Sequence, residues 1–147
     1  MATADDLRGK RVTLVGLGVL GGGVGVARWL AGQGAHVTVT DMRDASELAG
    51  SMQDLAGLPV TFHLGGHDVH DFLPEGADII VRNPGVPRDS QYLRAAREHG
   101  VPIEMEMSLF FRNCRAPAIG VTGTKGKTTV STLIGEMLAR WDPVSVV

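Results

Sequence analysis

Two glycine-rich stretches carry the residues best suited to chemistry in this 147-residue chain. The later one, Gly120-Val121-Thr122-Gly123-Thr124-Lys125-Gly126-Lys127-Thr128-Thr129, has the composition of a phosphate cradle. In such a loop successive backbone N–H groups wrap a β-phosphate, a lysine reaches the β- and γ-oxygens, and a hydroxyl binds Mg²⁺. Lys127 and Thr128 are the candidates for those two roles, and Gly123, Thr124, Lys125, Gly126 and Thr129 complete the cradle. Val121 stands where the common G-x-x-x-x-G-K-[ST] pattern has its first glycine, so the loop is a variant of that pattern. The alternative, an accidental Gly/Thr-rich loop, is disfavoured by the strand and helix predicted on either side.

The earlier stretch, Gly16-Leu17-Gly18-Val19-Leu20-Gly21, is a G-x-G-x-x-G between a predicted strand and a predicted helix, with Asp41 ending the next strand. Its glycines permit a tight turn and close backbone approach, and free amides at a helix N-terminus favour an anion. Asp41 would then accept from a ribose hydroxyl or a base edge. Alone, the motif names no ligand: NAD is the default, and a glycine turn that only packs helix on strand is the plainer alternative.

These loops need strands before them and helices after them. Strands are predicted at 11–17, 36–40, 60–63 and 78–81, a short one near 101–104, and another at 118–121 directly before the later loop. Helices are predicted over 22–33, stopped by Gly34, over 46–55, and over 90–99 with Ser90 as N-cap and Gly100 as stop. After the later loop, Val130, Leu133, Ile134, Met137 and Leu138 fall on one helical face, ended by Asp142-Pro143. Val144 to Val147 read as the start of a further strand. The alternation predicts an α/β fold: a Rossmann-like parallel sheet flanked by helices, then the first β–P-loop–α unit of a second domain. The polar, Pro-containing stretch 113–117 puts the boundary between residues 1–115 and 116–147.

A hydrophobic fraction of 44% with 20% charged residues argues for a globular chain and against disorder. The net charge of −2 offers no broad electrostatic footprint for nucleic acid or an anionic membrane, so phosphate recognition has to be local. The N-terminal stretch lacks the apolar core of a secretory signal, and no uncharged run reaches the length of a membrane span. The single cysteine, Cys114, suits a reducing compartment, and the expected location is the cytoplasm.

The later loop resembles the ATP motif of the Mur ligases, enzymes that build the peptide of bacterial cell-wall precursors, and of the related folylpolyglutamate synthetases. Upstream, "VGLGVLGGGVG" with "VTVTD", then "IIVRNPGVP" (Ile79 to Pro87) and "IEMEMSLFF" (Ile103 to Phe111), looks like the D-glutamate-adding branch of that family. The resemblance implies an N-terminal domain that holds a UDP-sugar in place of NAD, with UDP-N-acetylmuramoyl-L-alanine and D-glutamate as substrates and ATP with Mg²⁺ as co-reactant. It implies that the loop from Gly18 through Val19, Leu20 and Gly21, with Asp41 and Arg43, binds the uridine diphosphate, and that Asn83, Pro84 and Gly85 shape the site's edge. Lys127 and Thr128 would serve phosphoryl transfer, Thr128 as the metal ligand.

The chain departs from the family pattern at several positions. Leu20 replaces a common small hydroxyl residue, Met42 a common Thr, Asn83 the Ser of Ser-Pro-Gly, and Lys125 a common Asn. Glu106 matches the first acid that precedes the ATPase domain, whereas Ser108 stands in for a second. Complete family members continue through the ATPase domain and a C-terminal domain, so the chain is expected to be a fragment inactive alone. The alternatives are an NAD-dependent oxidoreductase fragment and a stand-alone UDP-sugar-binding module. His63, His67 and His70 are expected to be solvated histidines rather than a zinc site. Trp29 and Phe110-Phe111 are expected to pack in the core or between domains.

Overall fold

The computed structural model describes residues 6–19 and 21–141. Leu20, the Asp142-Pro143 helix stop and the strand expected at Val144 to Val147 lie outside the described residues. The chain divides into two compact units, Met1–Asn113 and Cys114–Val147.

The first unit is built on five strands: β1 (Arg11–Val15), β2 (His36–Asp41), β3 (Val60–Leu64), β4 (Ile79–Arg82) and β5 (Ile103–Met105). All pair in parallel, in the order β3-β2-β1-β4-β5. The chain moves outward from β1 to β3, returns to β4 on the other side of β1, and so creates a switch point between β1 and β4. In open α/β sheets ligands bind at the C-terminal edge beside that point.

Side-chain alternation along the strands serves two faces. Val12, Leu14, Val37, Val39 and Val81 join Val24, Ala27 and Leu30 of α1 (Gly22–Gly32) and Leu109 of α4 (Glu106–Asn113) in one core. Val15 and Ile80 point the other way, onto Phe72 of a 3₁₀ turn (Val69–Phe72) and Leu93 and Ala96 of α3 (Gln91–Glu98). Trp29 packs partly buried against the first core, while Phe110 and Phe111, at 44% and 56% exposure, stack edge-to-face on each other outside it.

Local signals placed the helix ends well. The Ser90 hydroxyl accepts from the Leu93 amide at the start of α3, and Gly34 and Gly100, with φ of 81° and 75°, stop α1 and α3 in the left-handed region that suits glycine. The helix expected from residue 46 is shorter, α2 (Ala49–Asp54). The Asp44 carboxylate accepts from the Ser46 and Glu47 amides and Glu47 reaches back to the Asp44 amide, so a reciprocal cap holds 44–47 as a turn. Helix α4 follows β5 without a break, and no turn signal in the sequence announces it.

The second unit holds α5 (Lys127–Leu138) behind the later glycine loop. The strand expected at 118–121 does not form. A strand exists by pairing, and these residues have no ladder partner among the described residues, so the apolar run stays irregular and the expected β–P-loop–α unit is reduced to loop and helix.

At the N-terminal edge of the sheet Arg11 clamps Asp78. Its Nη2 lies 2.7 Å from Asp78 Oδ1, its own amide donates to Oδ2 at 2.9 Å, and its remaining guanidinium donors reach the carbonyls of Pro74 and Glu75. Hydrogen bonding from Arg11 pulls the Asp78 carboxyl from 3.8 down to about 2. A depressed folded-state value stabilises the fold above the ordinary carboxyl range, and that contribution is lost as pH falls from about 4 through 2. Asp78→Asn should therefore flatten the loss of stability between pH 4 and 2, measured by denaturant unfolding at each pH. Parallel profiles for the two proteins would show the clamp to be unimportant.

Candidate functional site

At the C-terminal edge β1 runs into the first glycine loop. Gly16, with φ of 88°, sits where a Cβ would lie 3.1 Å from both Asn83 Cβ and Val86 Cγ2, so glycine lets this loop touch the turn after β4. The loop ends at Gly21, the left-handed N-cap of α1, which supplies no side-chain cap and is followed by no acidic residue in the first turn. The first amides of α1 are thus left for water or an anion. The glycine that permits close helix packing is Gly23, not Gly21: a Cβ there would overlap the Leu17 carbonyl, whereas Gly21 meets nothing within 4 Å. The run Gly21-Gly22-Gly23 contains both roles, and the motif spacing alone does not separate them.

Asp41 ends β2 with its carboxylate turned into this loop. Oδ2 accepts from the amides of Leu17 at 2.9 Å and Gly18 at 3.2 Å, Oδ1 accepts from the amide of Arg43 at 3.0 Å, and the residue is 5% exposed. Charge-assisted bonds of this kind offset the burial of a carboxylate. The Arg43 guanidinium lies 3.8 Å from Oδ1 and is about half exposed, a cation at the mouth of the edge. Val19 of the glycine loop and Met42 between Asp41 and Arg43 are exposed apolar residues. Ser51 of α2 donates to the Gly18 carbonyl and anchors the loop from behind.

The turn after β4 closes the other side. The Asn83 side-chain oxygen accepts from the Gly85 amide at 3.0 Å, the Asn83 carbonyl accepts from the Val86 amide, and Pro84 and Gly85 face solvent. Thus Gly18, Val19, Gly21, Asp41, Arg43, Asn83, Pro84 and Gly85 gather on one edge of the first unit. Arg82, buried beneath the turn, was not singled out in the sequence, although a charge ending the apolar run Ile79-Ile80-Val81 was the available signal.

His67 is not the solvated histidine expected. It is half-buried, its Nδ1 is 2.7 Å from the Thr40 hydroxyl, and its ring packs edge-to-face on Phe72 and Tyr92. Burial lowers its pKa, against an upward pull from Asp41 and Asp71. His63 is exposed and lies 2.7 Å from Asp71 Oδ2. With Asp68 and Tyr92 these histidines line an open cleft of about 610 Å³. On α4, Glu106 Oε2 is buried without a hydrogen-bond partner among the described residues, and desolvation raises its pKa.

In the second unit, Gly126 is a left-handed N-cap with φ of 78° and no side-chain cap for α5. The Lys127 ammonium donates to the Gly123 carbonyl at 2.8 Å, folding back along its own loop. Thr124, Lys125, Thr128 and Thr129 are exposed around it. An uncapped helix start, a lysine curled over the loop and an exposed hydroxyl at the next position fit a nucleotide triphosphate with its divalent ion.

Residues 10–104 match the family model described as Mur ligase MurD-like, N-terminal domain. A UDP-N-acetylmuramoylalanine–D-glutamate ligase of Roseiflexus sp. (strain RS-1) is 56% identical over 142 residues, covering 97% of this chain and 30% of that protein. The enzyme of the same name from Geobacter metallireducens is 48% identical over 134 residues, covering 91% and 29%. Among solved structures, the UDP-N-acetylmuramate-alanine ligase of Thermotoga maritima superposes with a TM-score of 0.59 at 25% identity, covering 88% of this chain and 29% of that one. The chain therefore spans about 30% of the length of the curated relatives it matches.

Two substitutions test the local geometry. Gly23→Ala should cost at least about 2 kcal/mol, because the new methyl must displace backbone, not a side-chain end; denaturant unfolding would measure it. Asp41→Ala should cost about 2 kcal/mol by stranding buried amides, and speed hydrogen exchange at Leu17 and Gly18 selectively. Uniform acceleration across the sheet would instead indicate global loosening.

Proposed function

The chain belongs to the Mur ligases, carrying their MurD-like N-terminal domain, and from that membership we propose that it is the nucleotide-sugar-binding part of a peptidoglycan-precursor ligase. The whole enzyme would add D-glutamate to UDP-N-acetylmuramoyl-L-alanine at the expense of ATP, in the cytoplasm. Residues 1–115 would hold the UDP-sugar, and 116–147 would open the ATP-binding domain.

The observation that carries this reading is the convergence of an uncapped α1 start, an exposed Arg43 and the Asn83–Val86 turn on one edge beside the switch point. An anion suits the first, a cation the second, and the crevice between β1 and β4 is the general ligand position of such sheets. The amides of Val19, Leu20 and Gly21 would take the diphosphate, and Asp41 would act chiefly by holding the loop in shape while its neighbour Arg43 meets the uridine.

ATP would supply the phosphoryl group that activates the substrate carboxylate as an acyl phosphate, which the amine of D-glutamate then attacks with release of phosphate. This chain's share of that task is positioning and charge stabilisation: the Gly123–Gly126 amides, Lys127 and Thr128 would cradle the triphosphate and its Mg²⁺.

Calorimetric titration of the chain with UDP-N-acetylmuramoyl-L-alanine, NAD and Mg-ATP tests the proposal. The UDP-sugar should bind, and NAD should give no heat. NAD binding with no response to the UDP-sugar would replace this reading by that of a dinucleotide-dependent oxidoreductase.

A further inference from the structure

We propose that Arg82 is a further recognition residue of this edge, a buried positive charge whose counter-ion is the diphosphate of the bound nucleotide-sugar. The inference rests on the nucleotide-sugar reading and adds to it the group that balances the ligand's charge.

Arg82 is the last residue of β4 and is 6% exposed. Its Nη1 donates to the Val86 carbonyl at 2.9 Å and reaches the Asn83 carbonyl at 3.5 Å, and its Nη2 lies 3.1 Å from the Met105 sulfur. All three acceptors are neutral, and a thioether is a weak one, whereas a guanidinium is always charged and carries five N–H donors. The ion pairs among the described residues are Arg11–Asp78, Arg43–Asp41, His63–Asp71 and Arg112–Glu104, so no carboxylate serves Arg82. Glu106, whose buried Oε2 has no hydrogen-bond partner among the described residues, is in none of those ion pairs. Residues this buried and charged are ordinarily paired, because a lone ion withdrawn from water is costly.

The location says which anion could complete the pair. The guanidinium braces the carbonyls of the Asn83–Val86 turn, and that turn is the one Gly16 approaches so closely that a Cβ would meet both Asn83 and Val86 at 3.1 Å. The charge therefore sits behind a single turn of backbone from the loop that takes the diphosphate. In a chain of net charge −2 no general field attracts a phosphate, and a fixed cation in a dry setting acts more strongly on a nearby anion than a solvated one.

Charge and bracing can be separated. Arg82→Lys retains the charge and gives up the forked donor set; Arg82→Gln removes the charge and keeps a donor for the Val86 carbonyl. Titrations with UDP, inorganic pyrophosphate and uridine should show Arg82→Gln weakened by about tenfold or more for the first two and unchanged for uridine, with Arg82→Lys within about threefold of the parent. Pyrophosphate binding by Arg82→Gln equal to that of the parent, or equal losses in both variants, would overturn the proposal while leaving the nucleotide-sugar reading intact. If the parent binds neither UDP nor the UDP-sugar, both fall. Thermal unfolding checks that the variants are folded. Should Arg82→Gln fail that check, the Arg82 Nε–Hε resonance of the parent decides: it should shift as pyrophosphate saturates the protein, and a stationary signal would refute the role.

Discussion

The C-terminal edge of this sheet depends on a short stretch of β2, Thr40-Asp41, whose side chains and carbonyls tie down loops. The Thr40 carbonyl accepts from Gly16, the Asp41 carboxylate from Leu17, Gly18 and Arg43, the Asp41 carbonyl from Gly66, and the Thr40 hydroxyl meets His67. A buried carboxylate would be a liability without these partners, and a glycine loop with three residues at positive φ would have many conformations without the carboxylate. Each offsets the cost of the other. The glycine loop after β1 and the histidine-bearing loop after β3 are thereby referred to one rigid point, which is what a site built from loops requires.

That arrangement explains which parts of the protein were legible in the sequence. Ser90, Gly34 and Gly100 act within a few residues of themselves, so capping rules located the ends of α1 and α3. β1, β2 and β4 were legible because buried parallel strands read as short apolar runs, and the outer strands β3 and β5, only half-buried, as shorter β-branched or apolar stretches. Asp41 was found by spacing, but spacing says only that a carboxylate ends β2. Whether it faces a ligand or the loop's own amides is decided by the path of residues 16–18, a tertiary fact. His67 was misjudged for the same reason: a polar neighbourhood in sequence concealed Phe72 and Tyr92 brought in from other elements. The run at 118–121 has the composition of a strand and lacks a partner among the described residues, which no local signal reports.

The two glycine loops, one in each unit, meet the same demand with the same backbone device. Gly21 and Gly126 both stand at a helix N-cap with φ near 80° and without a side-chain cap, leaving first-turn amides to water or an anion. A capping residue such as Ser or Asp would stabilise each helix by only about a few tenths of a kcal/mol over glycine and would occupy those amides with a side-chain oxygen. Glycine at both caps therefore costs little helix stability and leaves the amides open, as the proposed anion sites require.

The loops differ in how they place positive charge, and the difference follows from what each must do. Lys127 belongs to its own loop: it is exposed, one of its three donors rests on the Gly123 carbonyl, and the other two would, on the proposed reading, meet a phosphate that changes position during transfer. A cation on a flexible stem can follow a moving group. On the proposed reading the first unit would instead hold a nucleotide-sugar still while chemistry proceeds at the far end of that substrate. A planar guanidinium locked beneath a turn, with Arg43 at the mouth, suits a static anion because little side-chain freedom remains to be lost when it is engaged. In the proposed ligase, binding energy gathered at such a remote, rigid edge would serve the reaction by orienting the substrate's distant carboxyl, which requires the edge to be stiff before the ligand arrives. The Thr40-Asp41 hub supplies that stiffness.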